Sequence, residues 1–101
     1  MSVVVTIKIG GDTAKFQQAL VDKSGAFEAA GERARAGGCL RHQFAMGDGF
    51  ILVVDEWTTA AGFEEFFADP ELMKLVGESG ADLSTPPQIT IAEAIASPEQ
   101  M

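Results

Sequence analysis

Apolar positions along the chain fall into four strand-like runs separated by two helical patterns. Ser2 to Ile9, SVVVTIKI, is β-branched at nearly every step, and Gly10-Gly11 ends it. Phe16, Leu20, Phe27, Ala30 and Ala34 then recur on one approximate helical face, with Asp12 or Thr13 placed to cap the start and Gly37-Gly38 to stop it. Gly25 interrupts this pattern and predicts a bend or two helical pieces. Cys39 to Met46 and Phe50 to Trp57 read as the next two strands, joined by Gly47-Asp48-Gly49 as a three-residue hairpin loop. Thr58 or Thr59 caps a second helical region carrying Phe63, Phe66 and Phe67, and Asp69-Pro70-Glu71 restarts a helix through Leu72, Met73, Leu75 and Val76. QITIAEAI, from Gln88 to Ile95, is the last strand, with Ile89, Ile91 and Ile95 on one side. The order β-α-β-β-α-β predicts an α+β, ferredoxin-like fold: one antiparallel four-stranded sheet with the helices on one face. The 101 residues read as a single domain, with a core over 2–95 and a polar tail over 96–101.

The hairpin raises a question of burial. With Met46 opposite Phe50, Leu40, His42, Phe44, Met46, Phe50, Leu52, Val54 and Glu56 share one face, and Cys39, Arg41, Gln43, Ala45, Ile51, Val53, Asp55 and Trp57 the other. In this register Arg41 lies opposite Asp55 as an ion pair, Gln43 lies opposite Val53, and His42 and Trp57 point to opposite sides of the sheet. Val3, Val5, Ile7, Ile9, Ile89, Ile91 and Ile95 add further aliphatic surface. Helices cover one face only, and a monomer rarely keeps an apolar patch of this kind bare. The expectation is a homodimer through the sheet face, with two sheets enclosing a barrel-like core.

Charge narrows the choice of partner. Fifteen acidic against seven basic residues leave a formal net charge of −8, which disfavours nucleic acid and anionic membrane surfaces. No apolar stretch is long enough to span a membrane and no basic leader precedes an apolar run, so cytoplasmic residence is the default expectation. Cys39, the one cysteine, makes no internal disulfide, and beside Leu40 it reads as a buried, inert thiol. One histidine and one cysteine build no spaced metal cluster, and the glycines build no phosphate loop or dinucleotide fingerprint. Neither metal nor cofactor is expected.

Gly38-Cys39-Leu40 opening the second strand, VVDEWTT over 53–59 and AGFEEFFADPEL over 61–72 resemble the antibiotic biosynthesis monooxygenase-like proteins of the dimeric α+β barrel superfamily. The resemblance runs from Val3 to Ile95 in the order of elements. It implies a small homodimer, and it implies chemistry of several kinds, since some members oxidise polycyclic aromatic compounds with molecular oxygen and no metal or flavin, others degrade haem or quinols. In the haem-degrading branch a tryptophan ends the third strand, where Trp57 stands. The histidine iron ligand of that branch falls near Val76, and the histidine usual in the family after the strand-three tryptophan is absent from AGFEEFFADP.

Three residues are the candidates for chemistry. His42, the only imidazole, has a side chain suited to passing a proton near neutral pH. Trp57 offers a ring to stack on an aromatic ligand. Arg41 could anchor an anionic group or a phenolate. Each also has a structural reading: a hydrogen-bonded histidine, a core or interface tryptophan, an internally paired arginine. The functional expectation is a cofactor-independent monooxygenase-like enzyme acting on a small apolar or aromatic molecule. The alternative is a non-catalytic ligand-binding or assembly protein of the same fold.

Overall fold

The computed structural model describes residues 1–100 and contains β1 (Val3–Gly10), α1 (Thr13–Asp22), α2 (Ser24–Ala36), β2 (Cys39–Gly47), β3 (Phe50–Trp57), α3 (Ala60–Phe67), α4 (Pro70–Glu78) and β4 (Gln88–Glu93). The strands form one four-stranded sheet in the order β2-β3-β1-β4, every neighbouring pair antiparallel. This is the ferredoxin-like topology, with each helical region divided in two.

Local chemistry accounts for the divisions. Asp12 caps α1 by accepting from the Lys15 N–H at 3.0 Å. The first helical region breaks at Lys23, two residues ahead of Gly25, where φ of −116° leaves the helix. Thr59 caps α3 through the Gly62 N–H at 3.0 Å, and Asp69 caps α4 through the Glu71 N–H at 2.9 Å with Pro70 in the first turn.

The core lies between the helices and one sheet face. Val5, Ile7 and Ile9 of β1 and Ile51 and Val53 of β3 point at the helices and are buried; Phe16, Ala30, Ala34, Phe63 and Leu72 close over them. Ile89 and Ile91 of β4 stand on this face too, opposite Ile7 and Val5, yet at the sheet edge each remains about two-fifths exposed. Ile95 lies beyond β4, which ends at Glu93, so it does not extend the Ile89–Ile91 row.

The hairpin departs from the predicted register by one residue. Gly47 pairs with Phe50, leaving a two-residue loop, Asp48-Gly49, and Gly49 takes φ of 78° at the second central position. The Phe50 ring lies over Gly47 where a side chain would stand, and it carries the Lys8 ammonium 4.4 Å from its centroid. Phe44 therefore faces Val53, His42 faces Asp55, Arg41 faces Glu56 and Gln43 faces Val54. A bulge between Cys39 and Arg41 then restores Cys39 opposite Trp57.

A one-residue slip exchanges the faces of a strand. His42, Phe44 and Met46 join Ile51, Val53, Asp55 and Trp57 on the helix side, while Arg41, Gln43 and Ala45 join Leu52, Val54 and Glu56 on the outer side. The outer face is consequently less apolar than the sequence suggested. Its centre is Val4, Thr6, Leu52 and Val54, and Lys8, Arg41, Gln43 and Glu56 surround it.

Candidate functional site: a buried carboxylate at the mouth of an apolar cavity

Between the sheet and the helices is a cavity of about 450 Å³. Ile7, Ile9, Ile51 and Val53 form its floor, Phe16, Phe27, Gly31 and Ala34 one wall, and Phe63, Phe66, Phe67, Leu72 and Val76 another. Phe16, Phe27 and Phe44 meet edge to face, with ring centroids 5.0 to 6.1 Å apart. On the other side the Phe63 and Phe67 rings stack at 5.4 Å. A volume of this size and an aromatic lining suit a small apolar ligand.

The most buried polar group of the cavity lining is Asp55. It is 5% exposed, and the strand pleat aims it at the helices between Val53 and Trp57. One carboxylate oxygen lies 2.7 Å from His42 Nδ1, and the other accepts the Trp57 indole N–H at 3.2 Å. An ionised carboxylate assigns the imidazole proton to Nδ1 and leaves the Nε2 lone pair free. His42 is 44% exposed and packs edge-on against Phe44, with centroids 4.5 Å apart, so it sits at the cavity mouth. Such an imidazole can accept a proton from a bound molecule while the carboxylate behind it stabilises the cation formed.

The structure thus brings His42 and Trp57 into one hydrogen-bonded chain through Asp55, a residue that the sequence register had paired with arginine. Trp57 is 0% exposed and does not line the cavity. Its ring is held against Phe63 and Phe66, at 5.8 and 5.4 Å between centroids, so its link to the site is the N–H and not the ring face. Gly62 is needed for this packing, because a Cβ there would stand 2.5 Å from the Gly37 carbonyl oxygen. Arg41 borders the cavity mouth, but its Nε lies 3.6 Å from Glu56, whose other oxygen accepts from the Ser2 hydroxyl at 2.5 Å. The arginine is paired across the outer face and not with Asp55.

Cys39 also lines the cavity, half-buried, donating its S–H to the Arg41 carbonyl at 3.2 Å. Burial and, after it, the charge of Asp55 push its thiol pKa upward. Val76, near which the resemblance to the haem-degrading branch would put an iron ligand, presents an aliphatic side chain to the cavity and offers no donor to a metal. No group of three His, Cys, Asp or Glu side chains suited to a metal ion occurs among the described residues, and no helix there is long and apolar enough to cross a membrane.

Sheet order and helix placement find close counterparts among solved structures. SnoaB, a cofactor-independent oxygenase from Streptomyces nogalater, superposes with a TM-score of 0.65 at 13% identity, covering 98% of each chain. The chain shares its α+β, ferredoxin-like fold with these proteins. A structure described as an antibiotic biosynthesis monooxygenase matches at 14% identity over 93% of this chain and 99% of its own, with a TM-score of 0.62. A dimeric ferredoxin-like protein from an uncultured marine organism matches at 12% identity over 99% and 93%, with a TM-score of 0.65. No family profile matches the chain, and no curated protein matches it. At these identities the likeness is one of fold.

Proposed function

We propose that this protein is a cofactor-independent oxygenase of small hydroxylated or enolisable aromatic compounds, working as a homodimer paired through the outer sheet face. The observation that carries this reading is the His42–Asp55–Trp57 chain at the mouth of an aromatic-walled cavity. The reading is supported by the likeness in fold to SnoaB, a cofactor-independent oxygenase.

In the proposed reaction His42 Nε2 takes the proton from a substrate O–H or activated C–H, and Asp55 stabilises the imidazolium. The resulting anion is electron-rich and supplies electrons to molecular oxygen. For an activated methylene, one oxygen atom enters as a carbonyl and the other leaves as water with the two hydrogens lost from carbon. Burial of Asp55 keeps its side of the His42–Asp55 contact out of water, which strengthens the interaction, while His42 stays within reach of an entering molecule. Trp57 is a positioning residue: its N–H holds the second carboxylate oxygen and so fixes the first against His42.

Oxygen uptake by the purified chain with a panel of quinols and anthrone-type compounds tests this. Wild-type protein consumes oxygen with at least one of them, and His42→Ala lowers the rate by about 10²–10⁴. No uptake across the panel, or an unchanged rate in His42→Ala, refutes the reading. Residues 60–72 carry no histidine, which favours a second reading, ligand binding without turnover; binding with no oxygen consumption selects it.

A further inference from the structure

α2 contains two glycines, Gly25 and Gly31, and only the second faces the cavity. A glycine inside a helix costs stability, so its presence calls for a compensating reason. Close packing is not that reason, since a Cβ built at Gly31 meets no atom within 4 Å. Gly62 and Gly37 differ in this respect, because a Cβ on either would meet backbone or the Trp57 ring. The space beside Gly31 is open and belongs to the cavity that His42 borders. A Cβ at this place meets no atom, so a small side chain is accommodated there without displacing a neighbour.

We propose that Gly31 is a specificity-determining residue: its missing side chain sets the largest ring system the cavity admits. The proposal rests on reading the cavity as a ligand site and goes beyond it by assigning the size limit to one position. On this proposal a one-ring molecule seated beside His42 and Phe44 is insensitive to position 31, whereas a longer fused system is not. Substitution there acts on ligands in proportion to their length.

The test is a binding series that needs no turnover: phenol, 2-naphthol and 2-hydroxyanthracene titrated into wild-type, Gly31→Ala and Gly31→Leu proteins, followed by calorimetry. Gly31→Leu binds 2-hydroxyanthracene at least tenfold more weakly than wild type while phenol changes by less than about twofold. Gly31→Ala, which adds a methyl to open space and favours the helix, gives a smaller loss in the same order and keeps the test valid should Gly31→Leu fold poorly. Equal weakening of all three ligands, an unaffected three-ring ligand, or a wild-type protein that binds none of them overturns the proposal. Size discrimination with no oxygen uptake by any variant supports it and removes the oxygenase reading alone.

Discussion

Asp55 carries more than one constraint, and substituting it separates them. Its carboxylate accepts from the Trp57 N–H, which can only donate, and fixes the His42 tautomer through the 2.7 Å contact. Asp55→Asn keeps the shape and, through its amide oxygen, an acceptor for Trp57, but turns an NH₂ toward Nδ1. The imidazole proton then moves to Nε2 and the base is lost. Oxygen uptake by Asp55→Asn is expected to fall by about 10²–10⁴, as for removal of a general base, with far-UV circular dichroism unchanged. Trp57→Phe removes the indole donor and nothing that touches the cavity, so it lowers the rate less than His42→Ala does. Cys39 gives an independent probe of the same charge. Burial and Asp55 both disfavour its thiolate, so alkylation by iodoacetamide at pH 8 is slower than for a free thiol, and its rate rises at higher pH than a free thiol's. In Asp55→Asn the charge is gone and the alkylation profile shifts back toward lower pH.

Elements of this chain were legible wherever a local device marks them. Asp12, Thr59 and the Asp69-Pro70 pair cap the helices as their side chains predict, and the strand order follows from the succession of patterns. Face assignment was not legible, because Gly47-Asp48-Gly49 permits both a two- and a three-residue loop. The choice is made by the Phe50 ring lying over Gly47 and by the left-handed Gly49, which no periodicity reports. The candidate site failed at the same point: His42 and Trp57 were visible as residue types, but Asp55 joins them only in the true register. An acidic residue between Val53 and Trp57, in a strand otherwise buried on that side, was the signal for it. α2 supplies a prediction at this scale. Gly31→Ala removes the glycine penalty without a clash, so it raises stability by about 0.5–1 kcal/mol. At about 4–8 °C per kcal/mol for a domain of this size, the melting temperature rises by a few degrees, measurable by calorimetry.

Assembly of the whole molecule turns on the outer sheet face, which no helix covers. Its two central strands, β1 and β3, carry Val4, Thr6, Leu52 and Val54 side by side, and Val4 and Val54 are exposed in the single chain. The charged side chains of that face stand around this patch: Lys8 by Leu52, and Arg41 paired with Glu56. An apolar centre with a charged rim is the anatomy of an interface between protein surfaces. Burying it against a second copy contributes about 25 cal/mol for each Å² of apolar area removed from water. Net charge opposes the association, since each chain carries −8, and added salt is expected to tighten it by screening that repulsion. The homodimer we propose therefore sediments at twice the 10.6 kDa chain mass, more completely at high salt than at low. Val54→Lys places a charge at the centre of the patch, where the single chain leaves the side chain open to water, so the fold survives and the dimer does not. The cavity lies on the opposite face, so the monomeric variant still binds the wild-type ligand. A wild-type chain that sediments as a stable monomer at micromolar concentration and high salt removes the interface, and with it the reason for an uncovered sheet.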